Sequence, residues 1–141
     1  MPGPDPFNLQ RFVNAQAPVF QDVRAELQSG AKVSHWMWFI FPQVKGLGSS
    51  GISKQFAISS REEAKAYLNH PILGERLREC TRLVLAVEGK SITEIFGYID
   101  DKKFRSSVTL FAQVSSNDKI FNEALRKYFD GVPDAMTLRL L

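Results

Sequence analysis

Two basic side chains and a serine stand where helical periodicity places apolar residues. Arg76 lies between Leu73 and Cys80, three and four residues away. Ser107 lies midway along an aromatic stripe, and Lys103, at the edge of that stripe, precedes it by four residues. A guanidinium can hold a phosphate or a carboxylate through two parallel hydrogen bonds, and an ammonium adds a point charge. The spacing therefore predicts a pocket in which Arg76 and Lys103 bind an anion.

Two further polar residues fall in phase with apolar positions. Gln16 shares a face with two phenylalanines of the first predicted helix, and Asp100 lies one turn before the aromatic stripe. In a ligand pocket, Gln16 and Ser107 would supply hydrogen bonds. The alternative is a structural network in which Arg76 pairs with Asp100 at a helix junction, because an unpaired buried charge costs too much to persist. The sequence leaves both interpretations open.

The stretch that begins at Trp36 is an uninterrupted run of six apolar residues and contains both tryptophans. Trp36 and Trp38 could fill a core, but an aromatic wall beside basic side chains also suits a nucleotide base and its phosphates. Gln43, just after the run, would orient such a ligand. The candidate acid or base is His35, because free imidazole is a common acid–base group near neutral pH, or Asp100, whose pKa would have to be raised by burial. Residue types alone do not choose between them.

Other site chemistries find little support in the sequence. His35, His70 and Cys80 lack the spacing of metal ligands, so we expect neither a metal nor a cofactor. The glycine- and serine-rich stretch 45–53 lacks the lysine spacing of a P-loop and follows no predicted strand. Cys80 lies on an apolar helix face, which is typical of an inert buried thiol.

Helices would have to position these side chains. Capping residues, prolines and glycines divide the chain into six to eight helical segments. The first begins after Asp5 and is kinked or divided at Pro18, and the longest begins at Pro71 and ends at Gly89. The other predicted helices begin at Ser60, Ser91, Asp100 or Asp101, Asn117 or Asp118, and Asp134. Strands are scarce, so the predicted fold class is all-α, a compact and irregularly packed bundle.

The composition fits one helical domain over residues 1–141, in which we expect residues 1–4 to be flexible. The 18 basic and 15 acidic residues give a formal charge of +3, and the two signs are interspersed. Nucleic-acid binding is not expected, because it requires a denser basic face. The longest apolar run is far short of the roughly twenty residues of a membrane helix, and no secretory leader is evident. With one cysteine, these features favour a cytoplasmic protein without membrane contact.

Four segments carry a resemblance: DPFNLQRFVNAQAPVF, SHWMWFIFPQVKGLG, HPILGERLRECT and IFGYIDDKKFRSSVTLF. Together they resemble a family of small bacterial proteins, the domain of unknown function numbered 1810, sometimes mislabelled calpastatin. The resemblance runs from about Asp5 to the C-terminus and implies a compact, mainly helical domain with no established activity. Phe56 and Ala57 stand where relatives tend to have tyrosine and glycine, so a site that used those two residues would be altered here.

The aromatic run and the later pair Lys103 and Phe104 are similar to a second small helical family, which binds or cleaves ADP-ribose-type groups. We therefore expect the chain to bind a phosphorylated or nucleotide-like small molecule, such as an ADP-ribose-type ligand, and whether it hydrolyses that ligand stays open. The alternative is a non-catalytic protein-interaction module or a homodimer, for which the aromatic run would supply the apolar surface.

Overall fold

A computed structural model describes residues 4–141, which form ten helices. They are α1 (Gln10–Gln16), α2 (Phe20–Ser29), α3 (Met37–Ile40), α4 (Gly51–Gln55), α5 (Arg61–Asn69), α6 (Leu73–Ala86), α7 (Ile92–Phe96), α8 (Asp100–Val114), α9 (Ile120–Phe129) and α10 (Ala135–Leu140). No extended strand occurs between residues 4 and 141, so the predicted all-α class is confirmed. The flexibility expected for residues 1–4 falls mostly on residues outside the described range.

Local sequence signals account for several helix boundaries. The hydroxyls of Ser60 and Ser91 each accept a hydrogen bond from the backbone N–H three residues later, and Ser91 forms a complete capping box with Glu94. Asp134 caps α10 in the same way. Gly30 ends α2 with a φ of 76°, a left-handed conformation that glycine adopts without strain.

The structure has more helices than the six to eight predicted. Pro18 lies between α1 and α2, so the first predicted helix is divided. The helices α3 and α4 occupy the aromatic run and the glycine-rich stretch, and each is too short for helical periodicity to detect. The long helix α6 ends at Ala86, before the predicted stop at Gly89.

Helix α8 lies at the centre of the bundle. Its residues 106–111 are all buried, and it contacts α5, α7, α9 and α10. Helix α6 contacts α2, α3, α5 and α9, so the two longest helices organise one continuous apolar core. Aromatic rings meet edge to face within it, as Phe41 does on Phe104 at a centroid distance of 5.0 Å. In the described part of the chain, no helix is both long and apolar enough to span a bilayer.

An isolated β-bridge joins the segments on either side of α4. The Lys45 N–H donates to the Ile58 carbonyl at 2.8 Å, and the Ile58 N–H donates to the Gln43 carbonyl at 2.9 Å. Val44 and Ile58 are both buried in the core. The bridge therefore holds the glycine-rich stretch 45–53 against the helices, where it helps to enclose the candidate site.

Candidate functional site

The two tryptophans of the aromatic run have different surroundings. Trp36 is 1% exposed and belongs to the core, and its indole N–H donates to Oε1 of Glu26 at 3.0 Å. Trp38, two residues later, is half-buried and lines a cavity. Trp36 is the residue just before α3 and Trp38 lies within its single turn, and the two indoles have different directions, one inward and the other towards the cavity. The run therefore serves both as core and as wall.

Glu26 fixes the segment that leads into α3. Besides the Trp36 indole, its carboxylate accepts hydrogen bonds from the backbone N–H groups of Val33 and Ser34 and from the Ser34 hydroxyl. Burial alone would raise the pKa of Glu26, but these hydrogen bonds outweigh it and hold the pKa below its usual value. The carboxylate thus stays ionised and orders the residues before the cavity.

The cavity beside Trp38 has a volume of about 410 Å³. Aromatic side chains form its apolar surface, hydroxyl and amide groups its polar surface, and two ammonium groups contribute positive charge. Its lining residues are Trp38, Gln43, Val44, Lys45, Gly46, Gly48, Ser53, Lys54, Phe56 and Ala57. An apolar hollow with a few polar groups is the usual form of a small-molecule site.

Backbone conformation explains one glycine of the loop and close packing explains another. Gly46 has a φ of 104°, which residues with a side chain rarely adopt. A Cβ at Gly48 would lie 2.6 Å from Oγ of Ser53, so a side chain there requires Ser53 to move. The Ser50 hydroxyl caps α4 by accepting from the Ser53 N–H. The loop can therefore follow the cavity closely only with glycine at these positions.

Arg11 connects the C-terminal end of this loop, at Gln55 and Ala57, to α1 and α5. Its Nε donates to the Gln55 carbonyl, its Nη1 to the carbonyls of Phe7 and Asn8, and its Nη2 to the Ala57 carbonyl and to Glu63. These five hydrogen bonds use every N–H of the guanidinium. Arg11 therefore holds the α4 wall in place and has no donor left for a ligand.

A charge cluster lies against Trp38. The Lys103 ammonium is 4.3 Å from the indole centroid and 3.2 Å from Oδ1 of Asp100, whose Oδ2 lies 2.9 Å from the Lys32 ammonium. Burial alone would raise the pKa of Asp100, but its hydrogen bonds to Lys32 and Lys103 and their charges lower it below its usual value. Asp100 is therefore held as a carboxylate, and it lacks the raised pKa that its expected role as an acid or base would require.

Gln16 and Arg76 belong to a separate polar network. The Gln16 amide donates to the Phe39 carbonyl at 2.7 Å and to the Tyr67 hydroxyl at 3.0 Å, and its Oε1 accepts from Arg76 at 3.3 Å. Burial raises the pKa of Tyr67, so its hydroxyl remains protonated. The predicted pair of Arg76 with Asp100 is not formed: Arg76 binds Gln16 and lies over the Phe20 ring at 4.7 Å.

The structure brings some of the predicted site residues together and separates others. Trp38 and Gln43 line the cavity, and Lys103 and Asp100 lie beside Trp38. The residues outside the lining are Gln16, His35, Trp36, Arg76, Asp100, Lys103 and Ser107. Of these, His35 is exposed, and Ser107 is fully buried with no hydrogen-bond partner for its hydroxyl among residues 4–141.

Sequence reasoning missed the cationic residues of the cavity. Lys45 and Lys54 stand at the two ends of the segment KGLGSSGISK. This segment does not match a P-loop, so the sequence motif predicts no phosphate site there. A lysine on each side of a glycine-rich stretch is the signal that could have found them. Among residues 4–141, no three His, Cys, Asp or Glu side chains are grouped as metal ligands, and none of these four residue types is among the residues that line the cavity.

Residues 6–141 match the model of a family described as "Protein of unknown function (DUF1810)". The chain belongs to this family. Among solved structures, the crystal structure of the conserved hypothetical protein Rv1873 from Mycobacterium tuberculosis is similar to this chain, with 55% sequence identity and a TM-score of 0.96. The match covers 97% of this chain and 98% of that chain. No curated protein is significantly similar. Membership of DUF1810 thus agrees with the fold and names no ligand.

Proposed function

We propose that this protein binds a nucleotide-like anion in the cavity between α3 and the glycine-rich loop. The observation that carries the proposal is the combination of Trp38 and Phe56 with Lys45 and Lys54 around one hollow. An aromatic ring of a ligand can stack on the indole, and the ammonium groups can contact a phosphate. Gln43 and Ser53 provide hydrogen-bonding groups that would orient the ligand.

The charges around the cavity support two lysines as the groups that would bind the anion. Between residues 4 and 141, neither Lys45 nor Lys54 lies within ion-pair distance of a carboxylate. Arg11 is already saturated, and Arg76 and Lys103 do not line the cavity. Two exposed ammonium groups suit one or two phosphate groups held as point charges.

A second hollow next to the cavity favours a ligand whose phosphates lie between a ring at one end and a sugar at the other. This shallower depression has a volume of about 400 Å³ and shares Lys45, Lys54 and Ala57 with the cavity. Its other lining residues include Asn8 and Gln55, whose amides could bind hydroxyl groups. An ADP-ribose-type ligand has this arrangement, with a base at one end, a diphosphate in the middle and a sugar at the other.

Binding is proposed here, and hydrolysis is not. No carboxylate, imidazole or thiol is among the residues that line the cavity, and His35 lies exposed outside it. The second hollow is lined in part by the Glu63 carboxylate, which already accepts hydrogen bonds from Arg11 and from the N–H and hydroxyl of Ser59. Asp100 is shared by two lysines and keeps its negative charge, which leaves it poorly suited to donate a proton. A general acid or base must reach the proton that it transfers, and neither of the predicted residues lines this cavity.

Thermal unfolding with AMP, ADP, ADP-ribose or inorganic phosphate tests the proposal. A ligand at about 100 times its dissociation constant stabilises the folded state by roughly 2.7 kcal/mol, which raises Tm by several degrees. We expect the shift with nucleotides to be lost in the double variant Lys45→Ala/Lys54→Ala. The matched control is Lys119→Ala, which removes an exposed lysine that does not line the cavity. If no compound shifts Tm in the unmodified protein, the proposal fails and the interaction module becomes the better hypothesis.

A further inference from the structure

Lys103 touches the cavity wall without lining the cavity. Its ammonium lies 4.3 Å from the centroid of the Trp38 ring, whereas Trp38 itself lines the cavity. The Lys103 ammonium therefore contacts the indole from outside the cavity lining. The Lys103 side chain is 21% exposed and is held in place by Asp100 at 3.2 Å. This contact is thus a fixed feature of the wall.

The charge beside Trp38 is only partly neutralised. Asp100 is shared between Lys103 and Lys32, so the cluster contains two positive charges and one negative charge. Lys32 lies 5.0 Å from the centroid of the neighbouring Trp36 ring, and its side chain is 6% exposed. Glu26 is hydrogen-bonded to the Trp36 side of the run and not to Trp38. A net positive charge consequently remains against the wall.

We propose that Lys103 makes the cavity selective for neutral aromatic rings over rings that carry a positive charge, such as a pyridinium. The negative face of an indole attracts cations, and here the Lys103 ammonium already makes that cation–π contact with Trp38. A second cation on the same indole would be repelled, whereas a neutral ring can still stack. This selectivity presupposes the nucleotide binding proposed above and narrows its ligand class.

Two forms of one ligand, oxidised and reduced nicotinamide mononucleotide, differ in the charge of the ring. They share a phosphate and a ribose, but the oxidised ring is a cationic aromatic pyridinium and the reduced ring is a neutral, non-aromatic dihydropyridine. Isothermal titration gives the dissociation constant of each for the unmodified protein, for Lys103→Met and for Lys103→Arg. The oxidised form also has one negative charge fewer overall. The change in the affinity ratio between variants is therefore the readout, and not the ratio itself.

The unmodified protein should prefer the reduced form, and Lys103→Met should lower that preference by about tenfold, the range of a cation–π contact. Lys103→Arg should keep the preference, because its guanidinium is also a cation. Tryptophan fluorescence and Tm show whether Lys103→Met is folded. If it is not, a lost preference for the reduced form in Lys103→Arg still overturns the selectivity.

Failure of the selectivity is distinguishable from failure of nucleotide binding. An unchanged ratio in a folded Lys103→Met protein that binds both forms overturns the role of Lys103. So does an affinity ratio that changes as much in Lys103→Arg as in Lys103→Met. If neither AMP nor either form of the mononucleotide binds, the proposed function itself is wrong.

Discussion

Two tryptophans separated by one residue show how position alone decides what an aromatic side chain does. Trp36 is enclosed and hydrogen-bonded to Glu26, whereas Trp38 is half-buried between a charge cluster and a cavity. The difference comes from the backbone at the start of α3, where Trp36 precedes the first helical residue and Trp38 lies within the turn. A stability effect is expected at the first tryptophan and a binding effect at the second.

Replacing Trp36 with phenylalanine removes the hydrogen bond that the indole N–H donates to the Glu26 carboxylate. We expect Trp36→Phe to lower the free energy of unfolding by about 2 kcal/mol, a usual value for a hydrogen bond to a charged group. Urea denaturation of the two proteins measures the change. Trp38→Phe is the matched control, and it should change stability far less. Equal losses in both variants would contradict the assignment of Trp36 to the core and of Trp38 to the wall.

Ser107 is a buried hydroxyl without a hydrogen-bond partner among residues 4–141. Folding removes such a hydroxyl from water without replacing its hydrogen bonds to water by hydrogen bonds within the protein. We therefore expect Ser107→Ala to raise the free energy of unfolding by about 1 kcal/mol. Its neighbour Ser106 donates to the Lys102 carbonyl, so Ser106→Ala should not stabilise the protein. A less stable Ser107→Ala protein would indicate a polar contact that the hydroxyl makes in solution.

At the scale of elements, Arg11 connects α1 to α5 and to the end of α4. A lysine keeps the charge but cannot reproduce the five directed hydrogen bonds. We expect Arg11→Lys to lower the free energy of unfolding by about 2 kcal/mol, a value reduced for the partial exposure of the Arg11–Glu63 pair. Amide hydrogen exchange at residues 51–58 should become faster. The control is Arg61→Lys, on the exposed face of α5. Unchanged exchange would show that Arg11 does not hold this wall.

The sequence predicts those elements whose signals are local. The capping serines Ser60 and Ser91 mark the starts of α5 and α7, and Gly30 marks the end of α2, because each acts within one turn. The helices α3 and α4 escaped prediction because a single turn has no measurable periodicity.

The candidate site was predictable only in part. Trp38 and Gln43 were expected to contact a ligand, and both line the cavity. Lys45 and Lys54 resemble ordinary surface lysines in the sequence, and they share a cavity only because Val44 pairs with Ile58 across the loop. Helical phase indicates that Gln16 and Arg76 face the apolar side of their helices, and the structure has Gln16 buried and Arg76 half-buried beside it. Helical phase does not specify which element each side chain faces.

For the whole molecule, acidification should weaken the fold. The pKa values of Glu26 and Asp100 are lowered in the folded state, so each contributes stability above its unfolded pKa of about 4. That stability is lost as the pH falls through the lower folded-state pKa values. Urea midpoints should therefore decrease below about pH 4. In Glu26→Gln the decrease should be smaller, whereas Glu62→Gln, on the exposed face of α5, should match the unmodified protein. A midpoint independent of pH would contradict this account.

Two distant parts of the sequence meet at the cavity wall. The carbonyls of Phe7 and Asn8 are bound by Arg11, which also holds Gln55, and Leu140 packs close to Gly46. Contacts between segments so far apart in sequence slow folding, because closing the long intervening chain costs entropy before the contacts form. The cavity wall therefore depends on both ends of the chain being in place, although the residues that line the cavity lie within 38–57.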